Sequence, residues 1–168
     1  VAAPTAGLHF TPEILERIRG NGVRTAELTL HVGPGTFRPV KVERIDQHTM
    51  HEERYILTPQ AAAVVNETKS GGGRVVAVGT TSVRVLETCW DAEAGRVVPG
   101  EERTRLFLHP PATPKCADVL LTNFHLPRST LLMLVATFSS TERVLNAYRA
   151  AIRHRLRFYS YGDCMLLI

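Results

Sequence analysis

The run Arg74-Val75-Val76-Ala77-Val78 constrains this chain most. Gly71-Gly72-Gly73 stops a helical pattern ahead of it, and Gly79 turns the chain into Thr80-Thr81-Ser82 and a further helical pattern. A β-branched run that is apolar at successive positions reads as a strand covered on both faces, as inside a parallel sheet. The order helix, strand, glycine, helix then requires layers of helix against sheet.

The flanking sequence repeats this alternation. Thr11-Pro12-Glu13 and Thr58-Pro59 pair an N-cap hydroxyl with a proline at the first helical position, predicting helices to about Arg19 and Lys69. Ala26, Leu28, Leu30 and Val32 alternate with polar residues, the period of a half-buried strand. Thr36 to Glu53 reads as irregular and polar, and Asp91 to Glu102 as an exposed connection. Thr104 to Leu108 and Val119 to Thr122 read as strands. The helix after Gly79 is expected to run through Glu87 and Trp90; Ser129 caps an apolar helix to about Phe138, and Thr141 another to about His154. The tail from Tyr159 to Ile168 is apolar enough to pack. The expected class is α/β, a mostly parallel sheet with flanking helices, over a single unit spanning 1–168.

Composition adds exclusions. No apolar run approaches the roughly 20 residues of a membrane-spanning helix, and the first residues do not resemble a secretory signal, so the cytoplasm is the expected compartment. Cys89, Cys116 and Cys164 are odd in number and widely spaced, which suits neither a disulfide framework nor a zinc site. A net charge of +4, with only three lysines among twenty basic residues, is compatible with a polyanionic partner. The chain opens on Val1 and enters an ordered-looking segment at once, as a piece of a longer or processed protein would.

Three places could carry chemistry. At Gly79, Thr80, Thr81 and Ser82 a buried strand delivers a glycine and three hydroxyls to a helix start, whose N–H groups favour an anion or a polar ligand edge; plain capping by Thr81 or Ser82 is the simpler alternative. Leu120-Leu121-Thr122-Asn123-Phe124-His125 likewise ends an apolar strand in polar residues, where α/β sheets place ligands, although a structural His125 fits as well. His48, His51 and Glu53 lie close in sequence. No metal is expected there, because neither a helical histidine pair nor cysteine accompanies them; general acid/base work by His51 or Glu53 and a hydrogen-bonded loop both remain open. Arg149, Arg153, Arg155 and Arg157 could contact phosphates or simply be solvated.

Taken together, these segments resemble the S-adenosylmethionine:tRNA ribosyltransferase-isomerase (QueA) family, from the first residue to the last. The resemblance rests on Val1 to Thr11, on His31-Val32-Gly33-Pro34-Gly35-Thr36-Phe37 followed by His48, Met50, His51 and Glu53, on Val78 to Glu87, on Leu120 to Val135, and on Arg157 to Asp163 with Met165-Leu166. It implies transfer and isomerisation of the ribosyl group of S-adenosylmethionine onto 7-aminomethyl-7-deazaguanine in tRNA, giving epoxyqueuosine, adenine and methionine. S-adenosylmethionine is then a consumed substrate, tRNA the macromolecular partner, and no cofactor is needed. His51 and Glu53 become the first candidates for proton transfer, with His9 and His125 behind them. Asp163, Phe124 or Tyr161 could face the sulfonium, the rings by cation–π attraction. Gly79 to Ser82 and Arg84 could hold the methionine carboxylate or a tRNA phosphate, with Thr5, Phe10 and Asn123 also substrate-facing.

The resemblance further implies that this is the C-terminal portion of a larger two-domain enzyme, whose preceding half includes a small β-rich domain. One stretch departs from the family pattern T-D-L-F-I-Y-P-G-Y-x-F-K: here Thr104 to Lys115 reads T-R-L-F-L-H-P-P-A-T-P-K. The lost acid, glycine and aromatics leave room for an alternative, a degenerate family member that binds RNA or a nucleotide without catalysis.

Overall fold

Thr11, Thr58 and Ser129 each close the first turn of a helix by accepting a backbone N–H three residues on, at 3.3, 3.2 and 3.2 Å. A computed structural model of the chain describes residues 3–33 and 44–168. Pro34 to Phe37 of the glycine-proline motif, and the first part of the stretch read as irregular, lie outside the described residues.

The helices are α1 (Pro12–Gly20), α2 (Pro59–Ser70), α3 (Thr80–Thr88), α4 (Thr130–Ala136) and α5 (Thr141–Arg153); short 3-10 turns occupy Thr5–His9, Ile45–Gln47 and Tyr159–Tyr161. The strands are β1 (Thr29–Leu30), β2 (Glu53–Leu57), β3 (Val76–Val78), β4 (Trp90–Asp91), β5 (Arg96–Val97), β6 (Gly100–Thr104), β7 (Val119–Asn123) and β8 (Cys164–Leu167). They form an antiparallel sheet ordered β1-β2-β6, a mixed sheet ordered β3-β7-β8, and the β4-β5 ribbon. The class is mixed α/β. Among the described residues only β3 and β7 pair in parallel, whereas β8 returns antiparallel to β7. The expectation of a mostly parallel sheet thus holds for that one pair.

Other elements shift for physical reasons. The strand expected at Thr104–Leu108 ends where it should have begun. Its place is taken by β6, an edge strand bearing Glu101, Glu102 and Arg103, which has no apolar alternation to betray it. Glu101 is met by Arg54 of the neighbouring strand and Arg103 by Glu52 just before it. Asp91 to Glu102 is therefore not a plain connection. Trp90 leaves α3 to begin the ribbon, and Ser140 rather than Thr141 caps α5, its hydroxyl accepting from the N–H of Arg143 at 3.2 Å.

The core lies beneath the mixed sheet. Ala77, Leu120 and Leu167 stand in register across its three strands, all buried against Val83, Val85, Leu134, Val135 and Tyr148. Each large aliphatic side chain removed from water this way contributes roughly 1.5–3 kcal/mol. No helix among the described residues is long and apolar enough to cross a membrane.

Candidate functional site

Because β3 and β7 run parallel, their C-terminal ends open on the same edge, where open α/β sheets bind ligands. The two motif segments that follow these strands, Gly79 to Ser82 and Asn123 to His125, therefore meet. They wall a cavity of about 480 Å³ together with Thr5, Ala6 and Arg84. Leu28, Leu30, Val32 and Leu131 supply much of the apolar wall.

Gly79 turns the chain from β3 into α3 at φ +90°, a conformation that disfavours side chains. A Cβ there would also lie 3.3 Å from Oγ1 of Thr81 and 3.6 Å from Cβ of Ala6. Its N–H donates to the carbonyl of Leu121 at 2.8 Å, tying the two strand ends together. Capping by Thr81 or Ser82 does not occur: no side chain caps α3, and the Ser82 hydroxyl donates back to the carbonyl of Val78 at 2.8 Å. The positive end of α3 is left facing the cavity.

Glu53 and Arg84 are both only 2% exposed. Nη1 of Arg84 donates to Oε2 of Glu53, while Oε1 of Glu53 accepts the N–H of Gly33 at 2.9 Å. Glu53 is thus engaged as a structural anion. Nε and Nη2 of Arg84 have no hydrogen-bond partner among the described residues, and neither does Oδ1 of Asn123.

Asn123 is fully inside the wall. Its Nδ2 lies 3.2 Å from Nε2 of His9 and donates to the carbonyl of Gly162 at 3.3 Å. The amide orientation and histidine tautomer follow from this network. Nε2 of His125 lies 2.9 Å from Oγ1 of Thr122, and its backbone N–H donates to the Tyr148 hydroxyl at 2.9 Å. Burial pushes the His125 imidazole down to about 4, so it is neutral at pH 7. Phe124 packs edge-on to Tyr148 with centroids 5.1 Å apart and lies against Phe158 at 5.0 Å; it also borders the cavity.

Of the residues singled out from the sequence, Thr5, Gly79, Thr80, Thr81, Ser82, Arg84, Asn123, Phe124 and His125 line the cavity. His9 stands one hydrogen bond behind it. His51 is exposed, Phe10 closes the Thr5–His9 turn, and Tyr161 is 89% exposed; none of the three lines it. Asp163 is also off the wall. Its carboxylate accepts the backbone N–H of Arg157 at 2.7 Å and pairs with that residue's guanidinium, which together hold its carboxyl below the usual range. Among the described residues no group of three or more His, Cys, Asp or Glu side chains is placed to hold a metal ion.

Tyr159 and Ser160 line the cavity without having been singled out. They arrive because the N–H of Tyr159 donates to the carbonyl of Phe124 at 3.0 Å; their only sequence signal was membership of the Arg157–Asp163 motif. The divergent Thr104–Lys115 stretch contributes nothing to the cavity wall. Phe107 instead packs against His48 and His109.

The model of a family described as queuosine biosynthesis protein matches residues 1–167. A Thermus thermophilus protein named S-adenosylmethionine:tRNA ribosyltransferase-isomerase is 60% identical over 168 residues, covering 100% of this chain and 48% of the relative. A Trichlorobacter lovleyi protein of the same name is 56% identical, with 100% and 49% covered. The crystal structure of the Thermotoga maritima S-adenosylmethionine tRNA ribosyltransferase is similar at a TM-score of 0.75 and 45% identity, over 97% of this chain and 51% of that one. The chain spans about half the length of the curated relatives it matches. On its motifs, its fold and these matches, the chain belongs to the queuosine biosynthesis protein family.

Proposed function

We propose that the complete protein carrying this chain transfers and isomerises the ribosyl group of S-adenosylmethionine onto 7-aminomethyl-7-deazaguanine in tRNA, forming epoxyqueuosine and releasing adenine and methionine. The observation that carries this reading is the cavity itself: two family motifs, 44 residues apart from Gly79 to Asn123 in the sequence, converge to wall it. Its volume of about 480 Å³ falls within the usual range for small-molecule sites. S-adenosylmethionine is consumed as a substrate rather than held as a cofactor, and tRNA is the acceptor. The chain acts as the C-terminal α/β portion of a larger two-domain enzyme working in the cytoplasm.

The sulfonium acidifies the adjacent ribose carbon, so removal of a proton there starts the loss of adenine. His125 is our candidate for proton transfer, because among the described residues it is the histidine that lines the cavity wall. The hydroxyls of Thr80, Thr81 and Ser82 suit the ribose, and the ring of Phe124 suits the sulfonium. His9 steadies Asn123 from behind. Incubation of the complete protein with S-adenosylmethionine and tRNA bearing the modified base tests the reading. Adenine and methionine are the expected products; S-adenosylhomocysteine without adenine would assign methyl transfer instead.

A further inference from the structure

We propose that Arg84 anchors the α-carboxylate of the methionine moiety, and that Glu53 is the positioning residue that aims it. The proposal rests on reading the cavity as an S-adenosylmethionine site. Arg84 lies in the second turn of α3, on the cavity wall and almost wholly buried. Glu53 takes Nη1, at one end of the guanidinium. The two donors left without a partner, Nε and Nη2, stand side by side on the opposite edge of the planar group. Their parallel N–H bonds match the two oxygens of a carboxylate.

Two physical arguments favour an anion there. A buried cation with two unmet donors is strongly unfavourable until an anion or ordered water meets them. The start of α3, turned by Gly79 and without a side-chain cap, adds the positive end of a helix dipole on the same wall. Glu53 does not oppose a second carboxylate freely, since its own oxygens face Arg84 and the N–H of Gly33. The wall formed by Leu28, Leu30 and Val32 suits the rest of a small ligand better than a polyanionic backbone. This selects the methionine carboxylate over a tRNA phosphate.

The assignment divides Glu53 from the proton-transfer candidates. A carboxylate holding Arg84 in place acts on substrate through that residue, and its removal should disturb recognition of one substrate group in particular.

Calorimetric titration of the complete protein with S-adenosylmethionine and with its decarboxylated analogue, which keeps the adenosyl sulfonium, tests this. The unsubstituted protein is expected to prefer S-adenosylmethionine by about 10- to 100-fold in Kd, the range of charge-assisted hydrogen bonds. Arg84→Met strands a buried carboxylate, so the pair Glu53→Gln with Arg84→Met is made beside it, and Arg84→Lys keeps a cation next to Glu53 should the Met variants unfold. The Met variants are expected to bring the preference to about unity, and Arg84→Lys to lower it, by weakening S-adenosylmethionine alone. Glu53→Gln by itself should lower the preference partway and leave analogue binding unchanged, which a merely structural role would not do. An undiminished preference in the folded Arg84 variants overturns the anchor, as does equal binding of both ligands by the unsubstituted protein. Loss confined to tRNA binding would identify a phosphate site and overturn it too. Binding of neither ligand by the unsubstituted protein removes the S-adenosylmethionine reading itself.

Discussion

Asn123 and His9, 114 residues apart in the chain, meet with Nδ2 of the amide 3.2 Å from Nε2 of the imidazole. The contact ties the N-terminal turn Thr5–His9 to the end of β7, and the same amide nitrogen reaches the carbonyl of Gly162. Replacing Asn123 with Ala removes both bonds and leaves a buried carbonyl unmet. A loss of about 1–3 kcal/mol in urea unfolding is expected. Asn123→Asp should be tolerated less well than a neutral substitution, because it buries a charge beside a carbonyl oxygen. Equal stability of Asn123→Ala and the unsubstituted chain would show that the N-terminal turn is held by other contacts.

The pair Glu53–Arg84 gives a second stability prediction. Breaking a buried ion pair from one side leaves an uncompensated charge, so Arg84→Ala or Glu53→Ala should each cost about 3–5 kcal/mol. Removing both charges with side chains of similar size should cost far less than the sum of the single losses. A double-mutant cycle by denaturant unfolding measures this, and additive single losses would contradict the pairing.

These relationships bear on what the sequence could reveal. Helix starts were legible because caps are local: a hydroxyl at Thr11, Thr58 or Ser129 reaches a backbone N–H three residues away. The strands β3 and β7 were legible because both faces are apolar. By contrast, β6 was hidden by its own charges, two of which are met by residues about fifty positions earlier, Glu101 by Arg54 and Arg103 by Glu52. The site was half legible. Strand ends at Gly79 and Asn123 named two walls, but nothing local indicated that Glu53 would be spent on Arg84, 31 residues on, or that Tyr161 would point to solvent. Proximity of His51 to Glu53 in sequence did not carry into burial: His51 precedes β2 and is exposed, whereas Glu53 opens that strand and is buried.

His125 carries the pH dependence. Its folded value of about 4 lies below the unfolded value of about 6.5, so the folded state binds this proton more weakly. The stabilisation is fully present above pH about 6.5 and is lost as pH falls towards 4. About 3 kcal/mol is the upper bound for this loss, because the residue as a whole is only half-buried. Urea unfolding at pH 7 and pH 4.5 should show the fall, and His125→Gln should remove that part of it. An identical fall in the variant would assign the acid sensitivity elsewhere.

The same residue gives the kinetic prediction. His125→Gln should lower the rate of adenine release by about 10²- to 10⁴-fold, the usual contribution of a positioned proton-transfer group, with a much smaller change in S-adenosylmethionine affinity. His51→Ala, which alters an exposed side chain off the cavity wall, should change the rate by less than about threefold. The reverse ranking would return proton transfer to His51.

Gly162 is held by packing rather than by its dihedral angle. A Cβ added there would run into the carbonyl oxygen of Arg157, a backbone atom. Gly162→Ala should therefore displace the Arg157–Asp163 loop and with it Tyr159 and Ser160, destabilising the chain by about 1–3 kcal/mol. Unfolding measurements that found the variant as stable as the parent would show that this loop yields easily.

The most direct measurement is a crystal structure of the complete protein with S-adenosylmethionine bound in the absence of tRNA. The ligand is predicted to lie between Gly79–Ser82 and Asn123–His125, with its carboxylate on Nε and Nη2 of Arg84 and its ribose within reach of His125. A ligand bound elsewhere, with this cavity empty, would contradict the account.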